Sequence, residues 1–142
     1  MGVFMEDSNE PQVVISQTQK DNALCRLVYI ANAGAGIGIT LMVEGQVVYG
    51  DLMSGKDYCQ AMHDCLTSAN GPVEINELMA NGFKEMGEEY YSTEHLNEIP
   101  LNYLHLRNVA YLKGDGGLLI VNGSPLRVAI EKVSAFAVGR PS

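Results

Sequence analysis

Apolar and polar residues alternate with two different periods along this chain, and the change of period marks out its elements. From Asn22, read as the N-cap, "ALCRLVYIANAG" sets Leu24, Leu27, Val28 and Ala31 on one helical face, and Gly34 stands where a C-terminal glycine stops a helix. The period then falls to two. Ile37, Ile39, Leu41 and Val43 alternate with Gly38, Thr40, Met42 and Glu44, as in a strand with one buried face. "EGQ" predicts a tight turn, and "QVVYGDLM" returns as the second strand of a hairpin, with Gly50 marking a bend or bulge. Ser54 and Asp57 form a near capping box before "KDYCQAMHDCLTSA", where Tyr58, Met62, Cys65 and Leu66 keep helical spacing. A second inserted helix, "EINELMANGFKEMGEEYYS", is expected to bury Ile75, Leu78, Met79, Phe83, Met86 and Tyr90. Its Gly82 and Gly87 each cost about 1 kcal/mol relative to alanine. After the polar loop "STEHLNEIP", strands resume in "NYLHLRNVAYLK", "LLIV", "PLRVAI" and "SAFAVG", separated by "GDGG" and "NGS" turns.

This order predicts an α+β fold: a small, strongly bent antiparallel sheet or open barrel, with an N-terminal helix and two inserted helices. Residues 1–18, which hold Pro11 and only a short apolar patch, are expected to be a loosely ordered tail, leaving 19–142 as a single domain. A chain of 142 residues buries roughly 70% of its unfolded surface, enough for one sizeable core.

Composition narrows the function classes. Nine basic against seventeen acidic residues give a net charge of −8, with no clustered Lys and Arg, so nucleic acid is not an expected partner. No apolar run approaches the ~18 residues of a membrane helix, and no basic region precedes an apolar stretch at the N-terminus, so a cytoplasmic location is expected. Three cysteines, Cys25, Cys59 and Cys65, form no paired framework and fit buried, inert thiols in a reducing compartment.

Candidate chemistry is sparse. The glycines of "NAGAGIGIT" do not make a dinucleotide fingerprint, because Ile39 takes the last glycine's place and a strand follows where a helix is needed; no Walker loop occurs either. Cys59 and His63 lie four apart on one helix face, a spacing for two metal ligands or for a nucleophile and its base, but two ligands are not a site. Neither a metal nor another cofactor is expected, and no catalytic residue is assigned. Glu85, Glu88 and Glu89 read as a solvated helix face. His105 alternates with Leu104 and Leu106 and is placed on the solvent face of its strand, beside Tyr103 and Arg107.

Three stretches carry a family resemblance: "LVYIANAGAGIGITLMVEGQVVYGDLMSGKDYCQAM", "YLHLRNVAYL" and "LRVAIEKVSAFAVG". On these the chain resembles the gas-vesicle accessory protein U family, from about Leu27 to Gly139. The resemblance implies a small cytoplasmic, non-enzymatic protein that assists gas-vesicle assembly or clustering through contact with vesicle structural or accessory proteins. A second, architectural resemblance is to Sm-like barrels, through "VEGQVVYGDLMS"; the alternative it implies is an RNA-binding or adaptor role. Helices from about Lys56 replace that family's uracil-binding loop, and Arg127 is followed by Val128 where its second motif has Arg-Gly. A small enzyme using the Cys/His pair is the third alternative.

The last segment, "SAFAVG", is short, apolar and uncharged, which leaves an edge strand open to pairing. A homo-oligomer is therefore expected, most simply a two-fold dimer, with Phe136 or Val138 at its interface. Arg127 is a further candidate interaction residue. The competing expectation is that the inserted helices cover "SAFAVG" and "LLIV" within a monomer.

Overall fold

The computed structural model describes residues 19–141; the expected tail, with its apolar patch at 13–15, lies outside them. Helix α1 (Asn22–Asn32) is capped by Asp21, whose carboxylate accepts from the N–H groups of Ala23 at 2.8 Å and Leu24 at 3.2 Å. The cap is one residue earlier than expected, and a carboxylate there also meets the positive end of the helix dipole. Gly34, at φ +116°, follows the helix as its left-handed stop.

Strands β1 (Ile37–Val43) and β2 (Gln46–Met53) form the expected hairpin. Glu44 and Gly45 turn it with φ of 50° and 87°, the positive pair that matches the twist of two strands. Strand β3 (Tyr103–Leu112) pairs with β2, while β4 (Leu118–Ile120) and β5 (Leu126–Ala129) lie end to end along its other side. Strand β6 (Val133–Val138) pairs with β1. The antiparallel order is β4-β3-β2-β1-β6, with β5 on β3.

The bend foreseen at Gly50 is a bulge. Pairing steps from Tyr49–Ala110 to Asp51–Arg107, so β3 carries an extra residue there. Asn108 takes φ +54° and donates from its amide to Asp51 Oδ2 at 2.9 Å. Arg140 joins the same place, 3.7 Å from Asp51 and donating to the Asn108 carbonyl.

The expected α+β class and open antiparallel sheet are present; the sheet is uncurled, and its strands do not close into a barrel. Closure requires two opposite edges to meet with a fixed stagger. Here one edge is shared by the short β4 and β5, and among the described residues neither pairs with β6.

One face of the sheet is covered by α1. Leu24, Val28 and Ala31 pack on Ile39, Leu41, Val48, Leu52, Leu104 and Leu106, with Val128 and Ile130 completing the core. Phe136 is half-buried against this cluster. Part of the opposite face is covered by a helical hairpin, α2 (Gly55–Thr67) and α3 (Val73–Tyr90). Ser54 caps α2, accepting from the Asp57 N–H at 2.9 Å, and buried Asn32 at the end of α1 accepts from the Gly55 N–H at 2.9 Å. The second core joins Met53, Tyr58, Cys59, Tyr91 and Ile99, with Phe83 and Met86 packed on it.

Helix α3 does not bury the face that its strongest apolar period indicates. Ile75, Leu78, Met79 and Tyr90 are exposed, whereas Asn76 and Ala80 are buried. Small residues explain the choice. A Cβ on Gly87 would come within 3.0 Å of the Cys59 Cβ, so α2 and α3 approach where α3 has little side chain. Asn76 turns inward because its amide donates at 2.8 Å to the Ala69 carbonyl, holding the turn between the helices.

Candidate functional site

The described residues bring polar and aromatic side chains together where the hairpin meets the sheet. On β3, Tyr103 and His105 point to the helix side, and β5 lies in register so that His105 stands opposite Arg127. The hairpin adds Tyr58 and Cys59 from α2 and Met86 from α3, and Tyr91 follows directly. His105 is only 1% exposed, so its placement on a solvent face is corrected. Alternation showed that it opposes Leu104 and Leu106; it carried no sign that helices inserted earlier in the chain fold back over that side.

The ring of His105 stacks on Tyr58 with centroids 4.3 Å apart and meets the edge of Tyr91 at 5.5 Å. Arg127 Nη1 lies 3.3 Å from His105 Nε2, 3.5 Å from the Tyr91 hydroxyl and 3.8 Å from Met86 Sδ. Its guanidinium carbon sits 4.0 Å over the Tyr103 ring, a cation–π contact. Every one of these partners is neutral, and among the described residues no carboxylate pairs with Arg127. Burial, reinforced by the Arg127 charge, lowers the His105 pKa to about 3, so the imidazole is neutral and Nε2 can accept from Arg127. Burial raises the Cys59 thiol to about 11 against a smaller opposing effect of Arg127, and it also raises Tyr58 and Tyr91. At neutral pH the cluster therefore holds an uncharged imidazole and a protonated thiol around a fixed cation. Neither is tuned to move a proton near pH 7. What the arrangement does physically is fasten the hairpin to the sheet.

The paired helix residues separate. Cys59 is buried under Gly87, while the half-buried His63 turns its Nδ1 to Asp64 at 3.3 Å. Cys65 is exposed and Cys25 half-buried, so the reading of the thiols as buried holds only for Cys59. Among the described residues no group of three His, Cys, Asp or Glu side chains is placed to share a metal ion. A depression of about 370 Å³ beside the cluster is lined by Lys56, Lys84, Glu88, Glu94 and Ser92. An apolar groove of about 390 Å³ runs on the α1 side, walled by Val43, Val48, Tyr111 and Val128.

Of the candidate interaction residues, Val138 is exposed at the end of β6 and Phe136 is half-buried on the α1 face. Arg127 lies across the sheet from them, with β3, β2 and β1 between, and on the other face. The structure brings Phe136 and Val138 to one edge and leaves Arg127 apart. Strand β4 is exposed at all three residues, Leu118, Leu119 and Ile120. No helix among the described residues is long and apolar enough to cross a membrane.

The architecture is that of an open-sheet α+β protein with exposed apolar residues at its sheet edges and along one face of α3. The family model for Gas vesicle protein GvpU-like matches residues 21–141. The chain belongs to this gas vesicle family. No curated protein and no solved structure matches it.

Proposed function

We propose that this protein is a non-enzymatic accessory factor that assists gas-vesicle assembly or clustering inside the cell, acting through protein contacts. The observation that carries the reading is the family match over 21–141, nearly all of the described chain. Its surface supports a contact role. Gly139 donates from its N–H to the Gly38 carbonyl at 2.7 Å, so in the alternating antiparallel pattern residues 137 and 135 also bond to β1. The backbone N–H and C=O groups of Phe136 and Val138 then face outward along an edge that no other strand pairs among the described residues, and it can pair with a second copy in a two-fold dimer. A dimer presents each partner-binding surface twice, and several weak contacts joined in one body raise avidity without new chemistry.

Deleting the gene in a vesicle-forming host tests the reading. Altered vesicle number, shape or clustering is expected, restored by the intact gene. Unchanged vesicles in all three respects overturn it.

A further inference from the structure

We propose that the outer stripe of α3 docks an amphipathic helix from a partner protein, one that carries Lys and Arg along one edge. The inference deepens the accessory reading by naming the chemistry of the partner, and it rests on that reading for its biological setting. At about 100° per residue, Ile75, Met79 and Gly82 recur at spacings of four and three, the rhythm of a helix-packing seam, and Met86, next in that rhythm, is turned to the second core and ends the seam. Leu78 extends the stripe to one side. Within α3 this seam is distinct from the face of Asn76, Ala80, Phe83 and Gly87, which is turned to α2 and the second core. Leu78 is 71% exposed, Ile75 51% and Met79 44%, so the seam faces solvent over two turns. A single exposed leucine would be unremarkable, but an aligned set on one helix is an interaction signature.

Gly82 is the second observation. It lies in the middle of the helix, where glycine is unfavourable, and a Cβ placed there meets nothing within 4 Å. Packing among the described residues therefore does not require glycine here, in contrast to Gly87. A bare backbone beside the apolar seam permits close approach of another helix, as small residues do at helix crossings.

Charge selects the occupant. Glu74, Glu85 and Glu89 project along one flank of the seam, and the flank opposite is occupied by the α2-facing side. A second copy crossing antiparallel at Gly82 would lay its own carboxylate flank on the same side as this one, putting like charges together. A helix with an apolar stripe and a basic edge meets both features, in the helix-in-groove mode of recognition.

The test is fluorescence anisotropy of the full chain with three labelled 18-residue peptides: a Leu/Lys peptide patterned as an amphipathic helix, the same residues reordered to remove helical periodicity, and the first pattern with Glu in place of Lys. The first is expected to bind at least ten-fold more tightly than the other two. Leu78→Asp is expected to abolish that preference, and Gly82→Leu to weaken binding at least ten-fold while raising thermal stability, since leucine favours the helix. Equal binding of the ordered and reordered Lys peptides, or undiminished binding by both variants, overturns the proposal. So does a wild-type dimer that Leu78→Asp converts to monomer, which would make the occupant a second copy. These readouts use no vesicles, so their failure is separable from failure of the accessory role.

Discussion

At the scale of single residues, His105 shows how burial without a counter-charge becomes a pH response. Its folded pKa, about 3, lies below the ordinary 6.5, so the unfolded chain binds the extra proton first as pH falls. The stabilisation from keeping the imidazole neutral is complete above about pH 6.5 and declines from there towards pH 3. Between pH 7 and 4.5 the wild type should lose on the order of 2 kcal/mol more than His105→Gln, which retains an acceptor and does not titrate. Parallel denaturant titrations of the two proteins measure the difference; coincident pH profiles would show that His105 is not held neutral. Cys59 is expected to be the last thiol to react with a maleimide at pH 8, after exposed Cys65 and half-buried Cys25, because burial keeps it protonated. Mass spectrometry of partially labelled protein gives the order. Period two in "YLHLRNVAYL" placed His105 opposite the leucines correctly. What stands on that opposite side depends on contacts between β3 and residues some fifty positions earlier, which no local period encodes.

At the scale of elements, the strands, the helices and their turns were legible because each carries its own signal: Gly34 as a helix stop, Glu44-Gly45 as a hairpin turn, Ser54 as a cap, Gly50 as the mark of a bulge, which lies opposite it on β3. The facing of α3 was not. Hydrophobicity pointed to Ile75, Leu78 and Met79, while the packing against α2 is decided by the small size of Ala80 and Gly87. Glycines in these elements divide by what surrounds them, and alanine substitution should separate them. A Cβ at Gly55 would fall 2.2 Å from the Tyr91 ring, and one at Gly50 would fall 2.9 Å from the Leu106 Cβ. Gly55→Ala and Gly50→Ala should each destabilise by about 1–3 kcal/mol through overpacking, the first more than the second. Gly82→Ala meets open space in a helix and should stabilise by about 1 kcal/mol. Thermal melts of the three variants check the signs; a destabilised Gly82→Ala would mean that the helix needs glycine for a reason internal to the chain.

At the scale of the whole molecule, the sheet is bounded by β6 on one side and by β4 with β5 on the other, and edge pairing is the interaction it offers most directly. Val138→Pro removes an outward N–H from β6 while leaving the positions bonded to β1 intact, a substitution that edge strands tolerate. Light scattering after size exclusion should show a dimer for the wild type at tens of micromolar and a monomer for the variant; a monomeric wild type refutes the dimer. The fold class was readable at this scale, but barrel closure was not, since it depends on whether distant edges meet. The two edges also differ in what they allow. Pairing of β6 with β6 uses up the β6 edge of both copies, and that contact terminates. Pairing of β6 with the exposed β4 of another copy would leave a free β6 at one end of the assembly and a free β4 at the other, and such a contact repeats without limit. The first gives association that saturates with concentration; the second gives a fibre with a threshold concentration. The three-residue length of β4 limits how well it can template a six-residue strand, so the shortness of β4 stands between a finite assembly and polymerisation.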